Sequence, residues 1–191
     1  VVGGKGVQNL SNMIGHNFRL GEIECAIGLS QLKKLKGFVE SRQKAAERLT
    51  SGLAGLRGLR PPVIKEGITH AYYMFPMVLD CDLLGINRKQ IFTALEAEGV
   101  SGLAAGYTNV HLLPLYQKKI AYGSGGFPWT SDICKRDVSY AKGICPVAEE
   151  LHENSYLGYE MCLNELENND VDLIISAFKK VWANLDNLKN I

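Results

Sequence analysis

Two polar side chains stand two residues apart, Asn17 and Arg19, just ahead of a long apolar-periodic stretch that begins at Leu20. A helix entrance offers amide N–H groups without intrahelical partners and the positive end of the macrodipole, and both favour an anion such as phosphate. The Asn17 amide can donate to a phosphate oxygen, and Arg19 adds a permanent positive charge. The competing assignment makes Asn17 a helix cap and Arg19 a surface residue. Other groups form no comparable constellation. Lys5, in Val1-Val2-Gly3-Gly4-Lys5-Gly6, lacks the Gly-Lys-Ser/Thr ending of a P-loop and reads as a solvated loop residue. His16, His70 and His152 share no metal-like spacing, and no two cysteines form a CxxC pair, so no metal site is expected. Glu22 and Glu24 fall on different sides of a helix and do not make an acid–base pair.

The elements that would position Asn17 and Arg19 follow from periodicity. From Leu20 to Leu56 apolar residues recur at helical spacing, interrupted chiefly near Gly37, which predicts two helices or one bent helix. Gly52, Gly55, Gly58 and then Pro61-Pro62 end it. Tyr72 to Leu79 reads as a strand, with Pro76 placing it at an edge or a bulge. Asn87-Arg88-Lys89-Gln90 resembles a capping box, Ile91, Phe92 and Leu95 form the apolar face behind it, and Gly99 closes that helix. Val100 to Tyr107 is expected to form a second strand, Tyr122 to Thr130 a loop, and Asp132 to Lys142 a helix. Cys145 to Leu151 reads as a turn into a short strand or helix. A final helix, capped by Asn169, carries Val171, Ile174, Ile175, Phe178, Val181, Trp182, Leu185 and Leu188 on one face. The expected class is α/β, an α+β sandwich of helices on a small sheet. The expected divisions are a loop at 1–19, a helical connector at 20–57 and a small α/β domain at 58–191.

A net charge of +1, from 21 basic and 20 acidic residues, recruits neither nucleic acid nor an anionic membrane. The densest basic stretch, Lys33-Lys34 with Lys36, reads as a solvated helix face. No apolar run approaches the roughly 20 residues of a membrane span. Five cysteines, an odd number without framework spacing, favour a reducing, cytoplasmic location.

Gly15-His16-Asn17-Phe18-Arg19-Leu20-Gly21-Glu22-Ile23-Glu24-Cys25-Ala26-Ile27-Gly28, followed by Gln31-Leu32, closely resembles the Gly-x-Asn-Tyr-Arg-Met-x-Glu-Ile-x-Ala-Ala-Ile-Gly-x-x-Gln-Leu signature of the nucleotide-sugar aminotransferases. These are pyridoxal phosphate enzymes of the fold-type I aspartate aminotransferase class. Tyr107-Thr108-Asn109-Val110-His111-Leu112-Leu113-Pro114-Leu115-Tyr116 resembles the family's Tyr-Pro-x-Pro-Leu-His-Leu-Gln-Pro-x-Tyr loop. Thr108 and Asn109 depart from its prolines, and Leu113 from its Gln. Cys145-Pro146-Val147-Ala148-Glu149 is similar to the family's Cys-Pro-x-Ala-Glu, while a Leu-Pro strand expected near Tyr156 to Met161 is missing.

The resemblance implies the carboxyl-terminal part of an enzyme. The cofactor-bearing lysine would lie upstream, Lys5 being too near Asn17 to be it, so no catalytic residue is expected here and the chain alone is expected to be inactive. Asn17 and Arg19 would bind the phosphate of pyridoxal 5'-phosphate in the neighbouring subunit of a homodimer with shared active sites. Tyr107 and His111 would line the sugar entrance, the alternative for His111 being a packed, satisfied ring. The intact enzyme would move an amino group, usually from glutamate, to a nucleotide-linked keto sugar. Two other assignments stay open: a non-catalytic dimerisation or ligand-binding module of the same fold, and a sugar dehydratase relative.

Overall fold

The computed structural model describes residues 18–122 and 125–189, so the assignment to Asn17 lies outside the described residues. The chain divides into two units, Val1–Phe38 and Val39–Ile191, with the division inside the first helix. That helix, α1, spans Glu22–Leu53. It runs through Gly37 without a break, because a lone glycine weakens a helix by only about 1 kcal/mol and Gly37 has open space around it. In the first unit, Ile23, Ile27, Leu32, Leu35 and Phe38 of α1 are exposed.

The second unit is built on a four-stranded antiparallel sheet of order β1-β2-β4-β3. Its strands are β1 (Leu59–Arg60), β2 (Phe75–Leu79), β3 (Leu103–Ala104) and β4 (Tyr156–Tyr159). Tyr-Leu-Gly-Tyr forms β4 without the Leu-Pro pair expected there, since aromatic and branched residues suit a pleated surface. The strand expected to be missing is therefore present and central. Pro76 sits in β2 opposite Gly158, and it is tolerated because β1 reaches only Val78 and Leu79, leaving one side of β2 unpaired at the proline. Of the strand expected over Val100 to Tyr107, two residues pair.

Phe75 faces Tyr159 and Met77 faces Leu157 across the ladder, all four buried on one face. Ile91 and Leu95 of α3 (Arg88–Ala97, which follows the short α2, Cys81–Leu84), Val171, Ile175, Phe178 and Val181 of α6 (Asn168–Ala183), and Ala46, Leu49 and Leu53 of α1 complete one core. Each fully buried Leu, Ile or Phe contributes about 1.5–3 kcal/mol. Helix α1 approaches α6 so closely at Gly52 that a Cβ there would collide with Ile175 Cδ1.

The capping box of α3 forms as read. Gln90 N–H donates to the Asn87 side chain and Asn87 N–H to the Gln90 side chain, each at 3.0 Å, and Gly99 closes the helix at φ +89°. Three expectations are corrected. Helix α6 starts at Asn168 with Glu167 as its cap, in a box with Asp170, so Asn169 lies inside it. Asn184 then interrupts the apolar face, putting Leu185 and Leu188 in a separate turn, α7 (Leu185–Leu188). No helix forms over 132–142. Ile133, largely exposed, and Val138 are too sparse to make an apolar stripe, and Asp132, Asp137 and Ser139 favour local turn bonds over helical ones.

Candidate substrate-end site

Between β3 and β4 the chain leaves the sheet for a long excursion with three short helices: a 3₁₀ turn at Val110–Leu112, α4 (Pro114–Gln117) and α5 (Pro146–Glu150). Proline opens both α4 and α5, at the position where its missing N–H costs nothing. α5 continues into one π-helical stretch, Leu151–Ser155, which leads into β4.

His111 stands on the 3₁₀ turn, its Nε2 2.9 Å from Glu149 Oε1 of α5. The Glu149 side chain is buried and that of His111 half-buried, 7% and 12% exposed. Glu149 gathers more: Gly143 N–H donates to both carboxylate oxygens at 2.8 Å and Cys145 N–H to Oε1 at 3.3 Å. Burial pushes the Glu149 carboxyl upward, but the bonds from the Gly143 amide, His111 and the Cys145 amide outweigh it and hold the group below its ordinary value. An ionised, acceptor-only carboxylate thus ties together two of the three segments whose sequences carry the resemblance.

Further contacts stiffen the excursion. Gln117 donates to the carbonyls of His111 at 2.7 Å and Tyr140 at 2.5 Å. Trp129 Nε1–H donates to the Tyr140 hydroxyl at 2.9 Å, with Tyr116 packed against both rings. From α3, Arg88 reaches across to donate to the carbonyls of Leu151, His152, Glu153 and Tyr156, at 2.8–3.3 Å. These carbonyls surround the π-helical stretch, and the guanidinium fork satisfies several at once. His152 Nδ1 is the one buried side-chain nitrogen or oxygen without a partner among the described residues. It lies against Gly106, where a Cβ would sit 2.8 Å away.

Of the residues singled out from sequence, His111 and Tyr107 share this segment, but their surroundings differ. His111 is enclosed against Glu149, whereas Tyr107 is 94% exposed. Arg19 is exposed in the first unit, two residues before Gly21, whose carbonyl accepts from Cys25 N–H in the opening turn of α1. Glu149 and Arg88 were not singled out. The signal for Glu149 was its place in Cys145-Pro146-Val147-Ala148-Glu149, a carboxylate behind an apolar half-turn; Arg88 carried none beyond its place in the capping box. No group of three or more His, Cys, Asp or Glu side chains suited to a metal ion occurs among the described residues, and no helix there is long and apolar enough to cross a membrane.

Residues 2–154 match the DegT/DnrJ/EryC1/StrS aminotransferase family. The chain belongs to that family. It is 29% identical over 125 residues to the spore coat polysaccharide biosynthesis protein SpsC of Bacillus subtilis, a match covering 65% of this chain and 32% of SpsC. It is 29% identical over 187 residues to the L-glutamine:2-deoxy-scyllo-inosose aminotransferase of Micromonospora echinospora, covering 96% of this chain and 42% of that enzyme. Among solved structures, the aminotransferase TlmJ from Streptoalloteichus hindustanus superposes with a TM-score of 0.60 at 25% identity, covering 86% of this chain and 37% of TlmJ. This DegT/DnrJ/EryC1/StrS chain thus spans less than half the length of each of these three proteins. Its helices on a small antiparallel sheet are those of a fold-type I aminotransferase fragment.

Proposed function

We propose that this chain is the carboxyl-terminal part of a pyridoxal phosphate-dependent aminotransferase that moves an amino group, usually from glutamate, to the ketone of a nucleotide-linked sugar. The observation that carries the reading is the run Gly15 to Gly28 inside a family match that extends over residues 2–154. The donor set at its start suits a phosphate: Arg19 is an exposed, permanent cation beside the amino end of a 32-residue helix. Pyridoxal phosphate, when bound, supplies the electron sink that amine transfer requires. Asn17 and Arg19 hold its phosphate, in the neighbouring subunit of a homodimer. The exposed apolar side chains Ile23, Ile27, Leu32 and Leu35 support such an assembly, since a stripe of that kind calls for a cover. Tyr107 and His111 face the sugar, and His111 supplies a ring whose place is fixed by Glu149.

The test is an assay of the full-length polypeptide with pyridoxal phosphate, a nucleotide-linked 4-keto sugar, and glutamate or glutamine. The expected product, by mass spectrometry, is the amino sugar. Loss of water without gain of nitrogen would make the protein a dehydratase. No cofactor absorbance and no turnover would make it a binding module.

A further inference from the structure

We propose that Glu149 is a positioning residue for His111, fixing the imidazole so that Nδ1 is presented outward as a hydrogen-bond acceptor for a hydroxyl of the sugar. The assignment of the ligand rests on reading this loop as the sugar entrance; the assignment of the ring does not. An ionised carboxylate can only accept, so at 2.9 Å from Glu149 Oε1 the His111 Nε2 must carry the hydrogen. A neutral imidazole has one N–H, which leaves Nδ1 with a lone pair. That nitrogen makes no hydrogen bond among the described residues. His152 Nδ1 is the one sealed, unpartnered side-chain atom among them, so His111 Nδ1, on a side chain 12% exposed, is not closed off from solvent.

Neither partner is at liberty to turn away. Oε1 of Glu149 also accepts from Cys145 and Gly143, and Oε2 from Gly143, so rotating the carboxylate breaks several bonds. The His111 backbone is pinned by Gln117 at its carbonyl, and the 3₁₀ turn beneath it closes through Leu112 N–H to the Asn109 carbonyl at 2.9 Å. A ring fixed before the ligand arrives gives up little freedom on binding. The lone pair also selects its partner. Sugar hydroxyls donate, whereas ionised phosphate oxygens only accept, so an outward acceptor suits the sugar and not the diphosphate of a nucleotide sugar.

The experiment uses this chain with ¹⁵N-labelled histidine and long-range ¹H–¹⁵N correlation, at a pH where His111 is neutral. The expected result is the Nε2–H tautomer, with Glu149→Ala lowering its preference about tenfold or more and Glu149→Gln keeping it through the amide oxygen. A residue that merely stabilised the fold would move the melting temperature and leave the tautomer alone. An Nδ1–H ring in the unmodified chain, or an unchanged Nε2–H ring in folded Glu149→Ala, overturns the proposal; if Glu149→Ala does not fold, the unmodified chain and Glu149→Gln decide. UDP-N-acetylglucosamine is then titrated as a probe and is expected to shift His111 Nδ1. If the tautomer is as expected but the probe leaves Nδ1 unmoved while shifting other residues, the sugar-entrance reading and the acceptor role fall together, and the fixing of the ring by Glu149 stands.

Discussion

The sheet with its helices and the excursion between β3 and β4 are ordered by different physics. In the core, Phe75, Phe178, Leu49, Met77 and Leu157 are buried almost completely, and their order comes from many undirected contacts. In the excursion, Tyr107, Tyr122 and Ile133 remain exposed, and order comes from a few directed bonds converging on Glu149, Gln117 and Arg88. The first kind of order tolerates exchange of one apolar residue for another of similar size. The second fails when a single donor or acceptor is removed, because the groups left behind are buried and unpaired.

The largest effect should follow from breaking the core: Phe178→Ala is expected to cost about 3–5 kcal/mol, read as a shift of the urea midpoint for the whole unit. Arg88→Met comes next, at about 1.5–3 kcal/mol for the loss of bonds to a charged donor. Its signature is local, with faster hydrogen exchange over residues 151–156 than in α6; uniform acceleration would mean that Arg88 supports the core instead.

Acid sharpens the contrast. The folded excursion holds the Glu149 carboxyl below its ordinary value, so its contribution is complete above that value and is lost as pH falls through the lowered one. Trp129 reports on the excursion and Trp182 on the helix α6, and these are the two tryptophans of the chain. In single-tryptophan variants, the Trp129 fluorescence should change at a higher pH than that of Trp182. Coincident transitions would make the two regions one cooperative unit. The smallest effect is expected for Trp129→Phe, about 0.5–1.5 kcal/mol for one neutral hydrogen bond, measured by urea unfolding with the Tyr116 and Tyr140 ring packing otherwise kept.

The same contrast explains what could be read from the sequence. Ile91, Leu95, Val171, Ile175 and Phe178 announce themselves by helical spacing, and the Asn87–Gln90 box by the types at its two ends. The exact cap of α6 differs from the expected one because Glu167, Asn168 and Asn169 offer neighbouring polar groups, and the reciprocal box of Glu167 with Asp170 sets the start before Asn169. Over 132–142 a few helix-compatible residues suggested a helix that has no core to lie on. In the candidate site, His111 was legible through its motif, but its partner was not, because 38 residues separate it from Glu149 and no period links them. Arg88 was hidden for the same reason, its carbonyl partners lying 63 to 68 residues away.

Two glycines bracket residues 107–142 of the excursion, and both take left-handed backbone angles, Gly106 at φ +99° and Gly143 at φ +98°. Gly106 rests on His152 and Gly143 donates to Glu149, so both ends return to one helical stretch at positions three residues apart. A segment that departs from and returns to a single footing is interchangeable as a cassette. Chimaeras that replace residues 107–142 with the matching stretch of another family member, keeping both glycines and their two footings, should retain the unfolding midpoint of the core. The stretch can then be exchanged whole while the sheet beneath is kept.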